Sequence, residues 1–257
     1  MRRLLAGLVT LAAVIGMAAP ASAQTIGVVL MHGNTDSPSG TIALLAAAIE
    51  GAGYLVERPE MCWSHRRMRD RPFLECLAEL DAPIARLTGR GARAVVVAGM
   101  SQGGAGALAF GTRRSGLAGI IGLAPNGAPE RLVGLFPQIA ESVAQARAMV
   151  AAGHGDERAS FTDMNIRGPF SVNTTAAIYL SFFEPTGPAN MLDNISRLRE
   201  PVLSVAGTAD RSQLGPGDAF SRAPANPLNR YVTVVPDHLG TPSVAREAVL
   251  TWLRELR

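Results

Sequence analysis

The 257-residue chain contains no lysine, and all 24 of its basic residues are arginine. We read this as compositional bias without functional meaning. The charges alternate in sign and form no basic stripe interleaved with aromatic residues, which argues against nucleic-acid binding. Histidine is scarce: four are present, and no two stand at metal-ligand spacing, so neither a metal site nor any cofactor is expected. Cysteine is scarcer still. Cys62 and Cys76 lie 14 positions apart and neither has a CxxC partner. In an exported chain an even count favours a disulfide, and closing a loop of that size stabilises by about 3 kcal/mol. Two buried free thiols are the alternative. Internal repeats and low-complexity linkers are also lacking, and the length suits one α/β domain or two small ones.

The N-terminus reads as a secretory signal over residues 1–23. Arg2 and Arg3 form a basic region, Leu4 to Ala19 is apolar, and Ala21-Ser22-Ala23 has the small residues of a cleavage site. Cleavage there leaves a chain that starts at Gln24 and predicts export to the periplasm or the medium. A membrane anchor is the competing reading, but the apolar run is short for a span and ends in Pro20. The absence of a cysteine just after it argues against a lipoprotein anchor. Losing Arg2 and Arg3 lowers the formal charge of +3 by two, to +1. The uncharged window Ala94 to Thr112 is long enough to suggest a membrane helix. Five glycines, Ser101 and Gln102 interrupt it, so it reads as a buried strand followed by a buried helix. No integral span is expected once the signal is removed.

Along residues 24–257 strands alternate with helices. Thr25–Leu30, Tyr54–Arg58, Arg93–Ala98, Leu117–Ala124, Pro201–Gly207 and Arg230–Val235 read as strands. Thr41–Ala52, Phe73–Leu87, Gln102–Arg114 and Ser243–Leu256 read as helices. This order predicts an α/β fold with a mostly parallel sheet covered by helices on both faces. The stretch from about 126 to 196 breaks the alternation and is expected to be a helical insertion between core strands. Within it Pro137 to Ala151 looks helical, and Thr174 to Phe183 is apolar and aromatic. A lid over a site and ordinary packing helices fit it equally well. Ile178, Tyr179, Leu180, Phe182 and Phe183 would line an acyl pocket or pack in the core, and helical spacing makes the core the default.

The most informative stretch is Ala94-Val95-Val96-Val97-Ala98-Gly99-Met100-Ser101-Gln102-Gly103-Gly104. An apolar β-branched strand runs into Gly-x-Ser-x-Gly and then into an Ala/Gly-rich helix, the context of a nucleophile elbow. Gly99 and Gly103 lack Cβ atoms, so strand and helix can close around a strained serine. Asp210 lies just past the strand ending at Gly207, and His238 just past the strand ending at Val235. Both would project from the carboxyl edge of the sheet with Ser101. The serine hydroxyl needs a neutral base, which His238 supplies, and Asp210 would orient the imidazole. Asp237, adjacent to His238, is poorly placed for that and reads as a loop residue. His32-Gly33 follows the first strand. The backbone amides of Asn34 and Gln102 are the expected oxyanion donors. His32 itself is expected to shape its loop, and Asp36 to hold a turn beside Ser37-Pro38.

With these residues assembled, the chain resembles the α/β-hydrolase superfamily. The matches are His32-Gly33, Gly99-Met100-Ser101-Gln102-Gly103, Asp210 and His238, spread over Thr25 to Leu256. Pro59-Glu60-Met61-Cys62-Trp63-Ser64 is similar to exported bacterial members. The residue before the nucleophile, often His, Tyr or Trp in the superfamily, is Met100 here. The resemblance implies acyl chemistry but no particular substrate. The leading expectation is a serine hydrolase that cleaves small-molecule or lipid-like carboxylic esters. An acyltransferase or peptidase with the same three residues is the first alternative, and a non-catalytic binding protein on this scaffold the second. Haloalkane and epoxide hydrolysis are disfavoured, because those relatives place Asp where this chain has Ser101.

Overall fold

The computed structural model describes residues 25–210 and 219–256; the signal-like segment lies outside them. Six parallel strands form the central sheet in the order β2-β1-β3-β4-β7-β8. They are β1 (Ile26–Met31), β2 (Leu55–Glu57), β3 (Ala94–Met100), β4 (Gly119–Leu123), β7 (Val202–Gly207) and β8 (Arg230–Val234). Two further strands, β5 (Arg158–Asn165) and β6 (Gly168–Thr175), pair antiparallel as a separate hairpin. The helices are α1 (Ala43–Gly51), α2 (Phe73–Ala78), α3 (Asp81–Gly89), α4 (Gln102–Gly111), α5 (Pro129–Leu135) and α6 (Pro137–Ala151). After β6 come α7 (Ala176–Phe183), α8 (Met191–Ser196), α9 (Thr241–Val244) and α10 (Arg246–Glu255).

Strands buried on both faces need apolar residues at successive positions, and the pleat sends alternate ones to opposite sides. In β3, Val95 and Val97 enter one core, while Val96, Ala98 and Met100 enter the other. The second core is closed by Leu45 and Ile49 of α1 and by Val249, Trp252 and Leu253 of α10. The first is closed by α2, α3, α4 and the segment between β4 and β7. Every residue of α4 is buried. Its Gly/Ala composition makes that possible: a Cβ at Gly111 would lie 2.1 Å from Ile120 Cδ1. The uncharged window from Ala94 to Thr112 is therefore β3 and α4. Among the described residues no helix is long and apolar enough to cross a membrane.

Three expectations need correction. Phe73–Leu87 is two helices rather than one. Pro83 falls in the first turn of α3, where its missing N–H costs nothing, whereas a continuous helix would place it in the interior. The C-terminal helix begins earlier than expected and in two pieces, α9 and α10, with Pro242 in the first turn of α9. The segment 126–196 is not purely helical, because it contains the β5–β6 hairpin. The inward positions of that hairpin are Phe161 and Asp163 on β5 and Val172 and Thr174 on β6. Half of them are polar, so the apolar alternation that marks a strand is diluted. Its two-residue turn, Ile166-Arg167, ends at Gly168, whose φ of +116° suits glycine. The aromatic run of α7 is mostly core. Tyr179 stacks between Phe161 and Phe183, and Tyr179, Phe182 and Phe183 are all buried.

Cys62 and Cys76 form a disulfide with their Cα atoms 5.7 Å apart. It joins the loop after β2 to α2. We expect a Cys62→Ala/Cys76→Ala chain to lose about 3 kcal/mol of unfolding free energy in urea titrations, as the loop-closure entropy of the unfolded chain requires.

Candidate active site

The turn from β3 into α4 is built on a close backbone approach. Ser101 adopts φ 55° and ψ −119°, left-handed backbone that a residue with a Cβ rarely takes. The strain is held by bonds on both sides: Ser101 N donates to Leu123 O (2.9 Å), and its carbonyl accepts from Ala105 N (3.0 Å) and Asn126 N (3.1 Å). A Cβ at Gly99 would stand 2.2 Å from the carbonyl carbon and oxygen of Gly103. A Cβ at Gly103 would stand 2.6 Å from His32 O and 2.7 Å from Met31 O. No side chain fits at either position, so the spacing of the two glycines around the serine is a packing requirement.

Asp210 and His238 come from the loops after β7 and β8. These loops are tied together by Thr208 N donating to Val234 O (2.7 Å) and by Gly207, where a Cβ would meet Pro236 O at 2.3 Å. His238 Nε2 lies 2.9 Å from Ser101 Oγ, and His238 Nδ1 lies 2.6 Å from Asp210 Oδ2. The side chains of His238 and Asp210 are 6% and 0% exposed, so the contact between them is sheltered from water. Asp237 does not take part: its Oδ1 accepts from Gly240 N (2.9 Å) and its carbonyl accepts from Thr241. Asp36 holds its turn as expected, with Oδ2 accepting from Thr41 N (3.1 Å) and Thr41 Oγ1 (2.6 Å).

His32 is fully buried after β1. Its Nε2 accepts from Met61 N (3.1 Å), so Nδ1 carries the proton and donates to Gly33 O (2.8 Å). Its carbonyl accepts from Trp63 Nε1 (2.9 Å). This role needs the neutral ring, and burial pushes the His32 pKa below its ordinary value. Gly33 packs against Met100, where a Cβ would meet Sδ at 3.0 Å.

Ser101, His238, Gln102, Asn34 and Met100 line a cavity of about 480 Å³. Gln102 is the first residue of α4, so its amide lacks a carbonyl partner within the helix. The Asn34 side chain is engaged with the hairpin: its Nδ2 donates to Asp163 Oδ1 (3.2 Å) and Met164 O (3.0 Å). Phe183 is the one member of the α7 aromatic run among the lining residues. The hairpin contributes a wall from Asp163 to Gly168, and α5 and the residue after it add Leu132 and Phe136. Sequence reading missed Asn126, Arg69, Asp163 and Asn165, which also line the cavity. Arg69 and Asp163 form a buried ion pair, Nε to Oδ2 at 2.6 Å. Nothing in the run His65-Arg66-Arg67-Met68-Arg69-Asp70-Arg71 separates Arg69 from its neighbours.

Two outcomes follow from this packing. Gly99→Ala should cost at least about 2 kcal/mol in urea unfolding, because backbone must move. Gly51→Ala, where a Cβ meets nothing within 4 Å, should be neutral or stabilising by up to about 1 kcal/mol. The pH outcome concerns His32. Its folded pKa lies below that of a free histidine, so in the interval between them the unfolded chain holds more protons. Its contribution to stability is complete above about pH 6.5 and is lost as pH falls through that window. His32→Gln, which cannot gain a proton, should show a smaller loss of unfolding free energy between pH 7 and pH 5 than the parent chain.

No family model matches the chain, and no curated protein matches it. Solved structures do. A metagenome-derived lipolytic enzyme is 17% identical over 90% of this chain and 94% of its own, with a TM-score of 0.64. Est1E from Butyrivibrio proteoclasticus is 16% identical over 91% and 88%, with a TM-score of 0.62. A monoacylglycerol lipase from Paleococcus ferrophilus is 18% identical over 91% and 97%, with a TM-score of 0.65. At such identities the likeness is one of architecture, and with the six-stranded parallel sheet and its flanking helices it establishes that the chain has the α/β-hydrolase fold.

Proposed function

We propose that the chain is a serine hydrolase of carboxylic esters that works through an acyl-enzyme on Ser101. The carrying observation is the line of contacts from Ser101 Oγ to His238 Nε2 (2.9 Å) and from His238 Nδ1 to Asp210 Oδ2 (2.6 Å). A serine hydroxyl is a weak nucleophile until a neutral base takes its proton. His238 accepts that proton as Oγ attacks the ester carbonyl. Asp210, fully buried, holds the Nδ1–H tautomer and stabilises the imidazolium that results. The negative oxygen of the tetrahedral intermediate is met by the amides of Gln102 and Asn34. His238 then passes its proton to the leaving alcohol. A water molecule activated by the same histidine releases the acid.

The solved structures of this fold described above include a lipolytic enzyme and a monoacylglycerol lipase, which favours ester substrates for this chain as well. The cavity of about 480 Å³ suits a small-molecule ester, and Leu132, Phe136 and Phe183 supply apolar surface for it. We place the protein outside the cytoplasm, on the leader read over residues 1–23 and on the Cys62–Cys76 disulfide. The hairpin wall is read as the cover of the site.

Ser101→Ala should lower kcat on p-nitrophenyl esters by at least about 10³-fold while leaving the fold intact by circular dichroism. A fluorophosphonate probe should label the parent chain and not the variant. Undiminished ester cleavage by Ser101→Ala would sink the proposal.

A further inference from the structure

The cavity has a second polar group, remote from the serine in sequence, and it is built as carefully as the first. Arg69 lines the same cavity as Ser101, yet its side chain is 2% exposed. Its Nε donates to Asp163 Oδ2 at 2.6 Å. Its guanidinium carbon lies 4.2 Å from the ring centre of Phe182 and 5.0 Å from that of Phe183. The backbone is equally constrained. Arg69 takes φ 59°, its N–H donates to Cys62 O (2.7 Å), and its carbonyl accepts from Thr174 Oγ1 (2.8 Å). The Cys62–Cys76 disulfide brackets the loop. The group is therefore held in one place before any ligand arrives.

The Nη nitrogens of this fixed group are unused: Nε alone has a hydrogen-bond partner among the described residues, and Nη1 is buried without one. An unpaired buried N–H on a charged group is costly, and native structures rarely keep one without a use. The charge, by contrast, is already answered. Asp163 Oδ2 faces Arg69 Nε, while Oδ1 accepts from Asn34 Nδ2 (3.2 Å) and Met164 N (2.6 Å). Around the cavity Arg69 and Arg167 are balanced by Asp36 and Asp163. The site lacks an acceptor, not an anion.

We propose that Arg69 is a specificity-determining residue whose guanidinium donates to an uncharged acceptor oxygen on the substrate, away from the ester being cleaved. The substrate class is then esters bearing a ketone, amide, ether or hydroxyl oxygen a few atoms from the scissile carbonyl, in preference to plain alkyl esters. A carboxylate at that position fits less well, because it would sit beside Asp163 with no surplus positive charge. This inference rests on the ester-hydrolase reading of Ser101 and extends it.

The test compares matched p-nitrophenyl esters on the parent enzyme: pentanoate, hexanoate and heptanoate against their 4-oxo, 5-oxo and 6-oxo counterparts, each divided by its alkaline hydrolysis rate. A second series places the ketone on the alcohol side. At one or more positions the oxo ester should have a kcat/KM at least about tenfold higher, because a site built to donate discriminates strongly against a partner lacking the acceptor. The hemiglutarate ester should fall below the 5-oxohexanoate. Arg69→Lys, which keeps a cation beside Asp163 but not the guanidinium fork, should collapse the ratio. Equal rates in both series, or a preferred hemiglutarate, overturn the inference while leaving the ester reading intact. If no ester is turned over, the ester reading fails by itself. Calorimetric binding of methyl 5-oxohexanoate and methyl hexanoate to Ser101→Ala protein then decides: tighter ketone binding supports the role of Arg69, and no difference overturns it.

Discussion

The approach of α4 to the ends of β1 and β3 sets where every other group of the site must stand. At Gly103 the helix backbone comes so near His32 O and Met31 O that a Cβ would sit within 2.7 Å of both. At Gly99 the same closeness runs from strand to helix, with 2.2 Å left for a side chain that is not there. Ser101 lies between these contacts and takes up their geometry as a left-handed backbone with φ 55°. One contact thus serves two purposes: it lifts the serine hydroxyl to the cavity and places the His32-Gly33 turn beside it. Met100 belongs to the same packing. Its thioether fills the space beside Gly33, where a Cβ would meet Sδ at 3.0 Å. An adaptable, unbranched side chain suits that irregular gap.

Around this rigid corner the site is closed by polar groups from distant segments. Asp163 gathers three of them: Arg69 from the loop after β2, Asn34 from the turn after β1, and the Met164 amide of its own strand. A buried ion pair gains little net stability, since desolvating both charges offsets most of their attraction. Its value here is placement. The pair locks the hairpin wall against the loop braced by the disulfide, and it leaves Arg69, a lining residue of the cavity, with its Nη nitrogens unpaired among the described residues. His32 contributes in another manner, as a neutral ring spanning Met61 N and Gly33 O. Burial keeps it uncharged, and its charge would break one of those bonds.

Much of the fold was legible before any coordinates. The apolar runs at 26–31, 94–100, 119–123 and 202–207 announce buried parallel strands, because such strands need apolar residues on both faces. Tight turns at the carboxyl edge leave local signatures as well: glycines where backbones touch, and a polar residue just past each strand. The errors have local causes too. Pro83 splits Phe73–Leu87 because a proline tolerates only the first turn of a helix. The β5–β6 hairpin escaped notice because Asp163 and Thr174 occupy inward positions that the pattern reserves for apolar residues. Arg69 was hidden in a run of four arginines within six positions. Arg67 is held by Asp70 and Glu79, Arg71 by Glu79, and Arg66 is exposed.

The amino-acid order by itself determined the succession of strands and helices, the glycine-bounded serine, and the positions of Asp210 and His238 after consecutive sheet strands. Each of these depends on residues close together in the chain, or on a period that neighbours share. Only the tertiary structure decided what surrounds the serine. Arg69 and Asp163 are 94 residues apart, and Asn34 and Asp163 are 129 apart. A contact over such a distance leaves no period and no spacing in the sequence. It arises when two packed layers bring unrelated loops to one cavity, and there burial and the available partners turn one arginine of many into a fixed donor.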